Sequence, residues 1–330
     1  LSGIAAADYM QARCPNRTFT VLEGRDTIGG TWDLFRYPGI RSDSDMHTLG
    51  FGFYPWSDPK AIADGPSIMR YLHETVEAFD LSPHITFHRR VESASWSSEE
   101  AIWSLAVRDT ETDELSTWTC GFIWACTGYY RYEAGHTPDF EGRERFGGEI
   151  VHPQHWPEDL DYSDKRVVVI GSGATAVTVV PAMAKTAEHV TMLQRSPTYV
   201  MSIPAVDHKA EILKSVFGTK LGSGLVRWKN ILRIMFFYQL ARRAPTPVGK
   251  YIVGLVRRTM GPDFDVDAHF VPDYDPWDQR VCFVPDDDLF DAIKDGRASV
   301  VTDHIDSFTE TGIALKSGEQ LEADVIVTAT

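Results

Sequence analysis

The sequence runs to 330 residues, 43% of them hydrophobic and 24% charged, a globular composition with enough apolar material for two cores of ordinary size. Its 32 Lys and Arg against 47 Asp and Glu leave a net charge of -15, which excludes nucleic acid as the main partner because phosphate binding draws on clustered cations. No apolar run is long enough to span a bilayer, the first residues lack the charged-then-apolar order of a signal peptide, and four cysteines without a C-x-x-C pair read as reduced thiols of a cytoplasmic protein.

The first element is an amphipathic helix over "LSGIAAADYMQARCP", which begins without a strand or a cap before it, so the sequence reads as cut at this end. A buried parallel strand follows in "TFTVLEGRD" and closes on Glu23. A preceding strand ending in G-x-G would make Leu1, Ser2 and Gly3 the second half of a G-x-G-x-x-G fingerprint. Glu23 would then stand where an acid accepts hydrogen bonds from a dinucleotide ribose, the alternative being a solvated acid at a strand end. Beyond a Gly-, Pro- and Asp-rich stretch, "PSIMRYLHETVEAFDL" places Ile68, Tyr71, Leu72, Val76 and Phe79 at helical spacing, one buried face. Short β-rich runs come next, "HITFH", "VESASW", "IWSLAVRD" and "STWTCGFIWACTG", and predict a three-stranded meander that ends in a strand tipped by Thr-Gly.

The stretch "FGGEIVHPQHWP", residues 146 to 157, carries the turn chemistry of a shaped loop and reads as neither helix nor strand. After it, "KRVVVIGSGATAVTVVPAMAKTAEHVTMLQRSPTY" gives strand, glycine-rich turn, helix and strand, the context in which G-x-G-x-x-G/A is a strong dinucleotide signal. Gly171 makes the turn, Gly173 lets a pyrophosphate approach the backbone amides of Ser172, Ala174 and Thr175, and Ala176 permits close helix packing. The second strand ends in Gln194, Arg195 and Ser196 rather than in an acid. A cation there suits a 2'-phosphate, favouring NADPH over NADH, with an unliganded surface arginine as the alternative.

Residues 208 to 260 predict a helical insert with eleven Lys and Arg against Glu211 alone, a local charge of 11 - 1 = +10. It reads either as a lobe packed on the second domain or as a peripheral contact with an anionic membrane. The final stretch predicts a strand, a hairpin turning at Ser317-Gly318 and a buried strand, and it too reads as cut.

Two dinucleotide sites without a redox C-x-x-C point to flavin plus nicotinamide chemistry. Phe146, Gly148, His152, Trp156 and Pro157 spell F-x-G-x-x-x-H-x-x-x-W-P, and with "GGTWDLFRYPGIRSDSDMHTLGF", "QRSPTY" and "DPWDQRVC" the chain resembles the type I Baeyer-Villiger flavin monooxygenases over its full length. That resemblance implies an α/β fold of two Rossmann-like dinucleotide-binding domains, of the glutathione-reductase-like flavoprotein kind. Residues 1–133 would form an incomplete FAD-binding domain, 134–163 an interdomain linker in which His152 helps set the domains, and 164–330 an NADP-binding domain with the helical insert at about 206–262. It implies that Gly29, Gly30, Thr31, Trp32 and Asp33 line the flavin, and that Asp43 and Arg280 are an active-site pair, Asp43 gripping the guanidinium and bordering the cofactor. Without it, Asp43 reads as a turn acid and Arg280 as a surface cation.

The cofactors implied are FAD and NADPH. The implied reaction inserts one atom of O2, carried on the flavin as a C4a-peroxide, into a ketone to give an ester, or transfers it to a thioether or thioamide. Gln279 departs from the family, which often has Lys before the catalytic arginine, and shifts the NADP preference toward Arg195. The competing readings are an N- or S-monooxygenase that forms no esters, and a non-catalytic NADP(H)-binding, membrane-associated protein. Oligomeric state stays open.

Overall fold

The computed structural model describes residues 1–330, and the chain divides into two compact units, Leu1–Leu34 with Gly65–Arg131 and Phe35–Asp64 with Tyr132–Thr330. The first unit opens on α1 (Ser2–Arg13), which buries Ile4, Ala6 and Ala7 and sets Gly3 against Val21 of β1 (Val21–Leu22). β1 pairs in parallel with β2 (Ile85–Thr86). After the single turn α2 (Thr31–Leu34), the chain leaves for the second unit, where it forms α3 (Met46–Leu49), and returns as α4 (Gly65–Ala78). α4 buries Ile68, Tyr71, Leu72 and Val76, the face its periodicity predicts.

β3 (Arg89–Ser97), β4 (Ile102–Asp109) and β5 (Leu115–Cys120) form the expected antiparallel meander. The expected continuation through "GFIWACTG" is not a strand. Residues 121–128 are irregular, with Phe122 and Trp124 77% and 58% exposed, because no neighbouring strand offers a hydrogen-bond ladder.

The second unit is built on five parallel strands: β6 (Glu149–Val151), β7 (Arg166–Ile170), β8 (His189–Gln194), β11 (Ala298–Thr302) and β15 (Val325–Thr328), in the order β11-β8-β7-β15-β6. Between β8 and β11 in sequence come β9 (Tyr199–Ile203) and β10 (Val281–Pro285), a separate parallel pair. β7 alternates between two cores. Val167 and Val169 face a large cluster with α5 (Ala174–Met183), while Val168 and Ile170 face a smaller one built on Phe308, Ile313 and Phe146. The smaller core is closed by the meander β12 (Ile305–Thr309), β13 (Gly312–Leu315) and β14 (Gln320–Glu322). The loop reading of 146–157 is corrected at Glu149–Val151, which joins the sheet edge as β6, so part of the presumed linker belongs to this domain.

Segment 35–64 also departs from the expected domain boundaries, and its reason is physical. Pro181 inside α5 has no N–H to give Val177, and the carbonyl it leaves free accepts from Arg41 Nη2 at 3.4 Å. Arg41 also pairs with Asp288, Tyr37 joins the large core, and Gly39 (φ 77°) comes so close to Ala182 that a Cβ would sit 2.7 Å from it. These contacts tie the segment to α5.

The basic insert is helical as predicted. α6 (His208–Arg243) breaks at Gly218 (φ 75°, ψ 161°), and its two limbs close so tightly that a Cβ at Gly222 would lie 2.6 Å from Lys214 Cα. α7 (Pro245–Met260), α8 (Val266–Phe270) and α9 (Asp288–Lys294) complete the unit. No helix is long and apolar enough to cross a membrane.

Candidate dinucleotide and active site

The turn between β7 and α5 is shaped by its glycines. Gly171 has φ 132°, and a Cβ there would lie 2.3 Å from the Ala329 carbonyl oxygen, so only glycine fits. Gly173 caps α5 without a side-chain hydrogen bond, leaving the first amides of Ala174, Thr175 and Ala176 open at the positive end of a ten-residue helix. Ala176 is fully buried against the sheet. Ser172 is fixed by its hydroxyl, 2.8 Å from Thr198 Oγ1.

Arg280 reaches this turn from far along the chain. Its Nη1 would lie 2.2 Å from a Cβ on Gly173, so the guanidinium stands over the turn in the space that the glycine leaves. Tyr274 donates to the Arg280 carbonyl at 3.1 Å, and burial pushes the Tyr274 hydroxyl above its ordinary pKa, partly offset by its hydrogen bond with Thr198. Cys282 lies beneath. Burial pushes its thiol up to about 11, Arg280 pulling it back and Asp43 adding to the rise. Tyr37 is raised by burial, with its hydrogen bond to Thr175 and the charge of Arg41 opposing and Asp43 reinforcing.

The structure therefore brings Asp43 and Arg280 to one neighbourhood but does not form the expected grip. They make no ion pair, and the carboxylate that holds an arginine of this segment is Asp288, on Arg41. Both Asp43 and Arg280 are exposed.

At the end of β8 the three expected residues part company. Arg195 is exposed and its guanidinium has no partner; Ser196 is exposed and its carbonyl receives the Ser172 hydroxyl at 3.4 Å. Gln194, expected at the nucleotide, is instead buried, its amide donating to the His269 carbonyl at 2.8 Å and to Thr302 Oγ1 at 2.9 Å. Alternation along β8 turns it into the protein.

In the first unit, Gly29 and Gly30 have φ 116° and 57°, and a Cβ on Gly29 would meet Met69 Sδ at 2.5 Å. Thr31, Trp32 and Asp33 form the turn that follows. Arg25, which sequence reasoning passed over, holds this loop by donating to the Gly30 carbonyl at 3.1 Å and pairing with buried Asp33. Its signal was its place just past the strand end. Ser2 and Gly3 form the first turn of α1 without a side-chain cap, and half-buried Glu23 accepts the Arg25 amide at 3.1 Å.

In the fingerprint, His152 Nδ1 accepts from the Gln154 amide at 3.1 Å and its ring occupies the space over Gly135, with burial lowering its pKa and a hydrogen bond with the His136 backbone opposing. Trp156 packs edge-on against Tyr162, and Phe146 lies in the smaller core.

Comparison with known proteins agrees with this layout. Residues 44–330 match the family described as flavin-binding monooxygenase-like. The chain is 52% identical over 331 residues to the FAD-containing monooxygenase EthA of Mycobacterium tuberculosis, covering all of this chain and 67% of that protein. To the probable FAD-binding monooxygenase AlmA of Acinetobacter baylyi it is 49% identical, covering 66% of it. Among solved structures, an oxidized steroid monooxygenase bound to NADP aligns with a TM-score of 0.78 at 23% identity over 99% of this chain and 69% of that one. A cyclohexanone-bound cyclohexanone monooxygenase aligns with a TM-score of 0.77 at 21% identity over 99% and 70%. These likenesses carry the two-dinucleotide fold.

Proposed function

The chain belongs to the flavin-binding monooxygenase-like family, and on that premise we propose that it is an FAD- and NADPH-dependent monooxygenase that inserts oxygen into ketones, forming esters, and oxidises thioethers or thioamides. The observation that carries this reading is the convergence of Arg280 on the Gly171–Ala176 turn.

The residues present fit both cofactors. Gly171, Ser172, Gly173, Ala174, Thr175 and Ala176 leave an uncapped helix end whose first amides would hold a pyrophosphate, and Arg195 and Ser196 would meet the adenosine 2'-phosphate. Ser2, Gly3 and Glu23 would hold the second dinucleotide by its pyrophosphate and ribose, and Gly29, Gly30, Thr31, Trp32 and Asp33 its ring. When bound, the nicotinamide supplies a hydride and the flavin the means to activate dioxygen.

Arg280 supplies fixed positive charge. An exposed guanidinium without an ion-pair partner is available to negative charge that develops on oxygen during transfer, and the Tyr274 bond fixes its backbone beforehand. Asp43, close enough to act on the same thiol, would tune that charge.

The test uses the flavin-loaded full-length protein with a panel of ketones and thioethers, scoring esters and sulfoxides formed per NADPH consumed, with hydrogen peroxide measured alongside. Arg280→Ala should keep the fold and lower oxygen transfer by about 10²- to 10³-fold, residual NADPH oxidation yielding hydrogen peroxide. An alanine variant as well coupled as the parent would remove Arg280 from this role. Sulfoxides without any ester would limit the activity to sulfur.

A further inference from the structure

We propose that the outer face of α6 docks on an anionic lipid surface. The second limb of α6 is amphipathic in the reverse sense to a helix of a globular core. Its protein-facing side buries mostly small or polar residues, Gly222, Ser223, Asn230 and Ala241, together with Val226, while half-buried Phe237 packs on Trp277. Its bulky apolar residues recur every three or four positions on the solvent side: Leu221, Leu225, Trp228, Leu232, Met235 and Phe236, with Trp228 63% and Phe236 70% exposed. A continuous stripe of this kind marks a docking surface, whereas scattered exposed apolar residues do not.

Charge selects the occupant. Lys220, Arg233 and Arg243, on the same limb of the helix, are exposed and make no ion pair or hydrogen bond. Between residues 208 and 260 the one acid is Glu211, and Lys214 holds it at 3.1 Å. A second copy of the chain meeting this face about a twofold axis would set these cations against one another. An anionic lipid surface accepts them and the apolar stripe together, the Trp and Leu side chains entering the headgroup boundary. Outside residues 208–260 this sequence carries -15 - 10 = -25, so within it the α6 region is the part that an anionic surface attracts. No helix is long and apolar enough to cross, so the contact lies on the surface.

The experiment is flotation of the full-length protein with phosphatidylcholine vesicles and with vesicles containing about one third phosphatidylglycerol. Binding is expected to the second set only, and to be released at about 0.5 M salt, where screening shortens to a few ångströms. Lys220→Gln combined with Arg233→Gln should weaken partitioning roughly twentyfold to thirtyfold, about fivefold for each basic side chain near such a surface. Leu225→Ser combined with Leu232→Ser should weaken it by at least about tenfold. All four positions are exposed, so thermal unfolding of both variants should match the parent and a lost interaction is not lost folding. The proposal is overturned by failure to float, by equal binding to both vesicle sets, or by variants that bind like the parent. It is equally overturned by self-association in sedimentation velocity that the Leu pair abolishes while vesicle binding is absent, which would give the stripe to a second copy.

Discussion

Replacing Arg195 with alanine should separate the two nicotinamide dinucleotides. NADPH and NADH differ by the 2'-phosphate, and Arg195 is the cation at the end of β8 whose guanidinium is exposed and unpaired. Gln194 cannot substitute for it, because its amide is committed to His269 and Thr302. A charge-assisted hydrogen bond is worth about 1.5 to 3 kcal/mol, and full exposure to water and salt draws the value down to about 1 to 2 kcal/mol. NADPH should therefore bind roughly fivefold to thirtyfold more weakly, whereas NADH should change by less than about twofold. Fluorescence titration of each nucleotide at low and high ionic strength measures both, and the difference between parent and variant should shrink as salt rises. Equal losses for the two nucleotides, or a salt-independent difference, would refute the assignment.

Three further outcomes follow from particular contacts. Gly171→Ala forces a side chain at φ 132° into the Ala329 carbonyl and should destabilise the second unit by about 2 kcal/mol or more, read by urea unfolding, with nucleotide binding lost in parallel; a variant of parental stability would contradict the turn geometry. Gln194→Leu leaves the His269 carbonyl without its donor, while Thr302 Oγ1 keeps only its bond with His269 Nδ1, and should cost about 1 to 3 kcal/mol, yet keep the parental NADPH-to-NADH preference; a changed preference would return Gln194 to the nucleotide. His47 is buried with both ring nitrogens unpartnered, and burial first and Lys214 next hold its pKa below the ordinary value of about 6.5, Asp45 and Asp207 opposing. As pH falls through about 6.5 the unfolded chain takes up the proton before the folded one, so stability should decline until the depressed folded pKa is passed and then level off. His47→Gln should remove part of that slope, the rest coming from His152 and His269, which burial also depresses; an unchanged slope would place His47 in contact with water.

The sequence by itself determined what depends on neighbours along the chain. The G-x-G-x-x-A turn, the strand before it and the helix after it are local, because a tight turn and an open helix end need only residues 171–176. The buried face of α4 and the β3–β5 meander were equally legible, since periods of 3.6 and 2 are written in consecutive residues. Tertiary structure decided whatever needs a partner from elsewhere. β6 is three residues long and becomes a strand through the ladder offered by β15, while 121–128, with Phe122, Ile123, Trp124 and Thr127 among its residues, lacks one and stays irregular. Gln194 and Arg195 are adjacent in sequence, yet Gln194, the last residue of β8, is buried against His269 and Thr302, while Arg195 lies past the strand end and is exposed. The same holds for α6, whose composition announced a basic helical insert but not which side would face the protein. Packing against α3 uses the small and polar side, since Asn230 donates to Asp45 at 2.8 Å and Arg227 to the Gly50 carbonyl at 2.7 Å, and this turns the bulky side outward. Arg280 reaches the turn for the same reason: its guanidinium comes over Gly173 only once β10 lies beside α5, and no spacing along the chain encodes that approach.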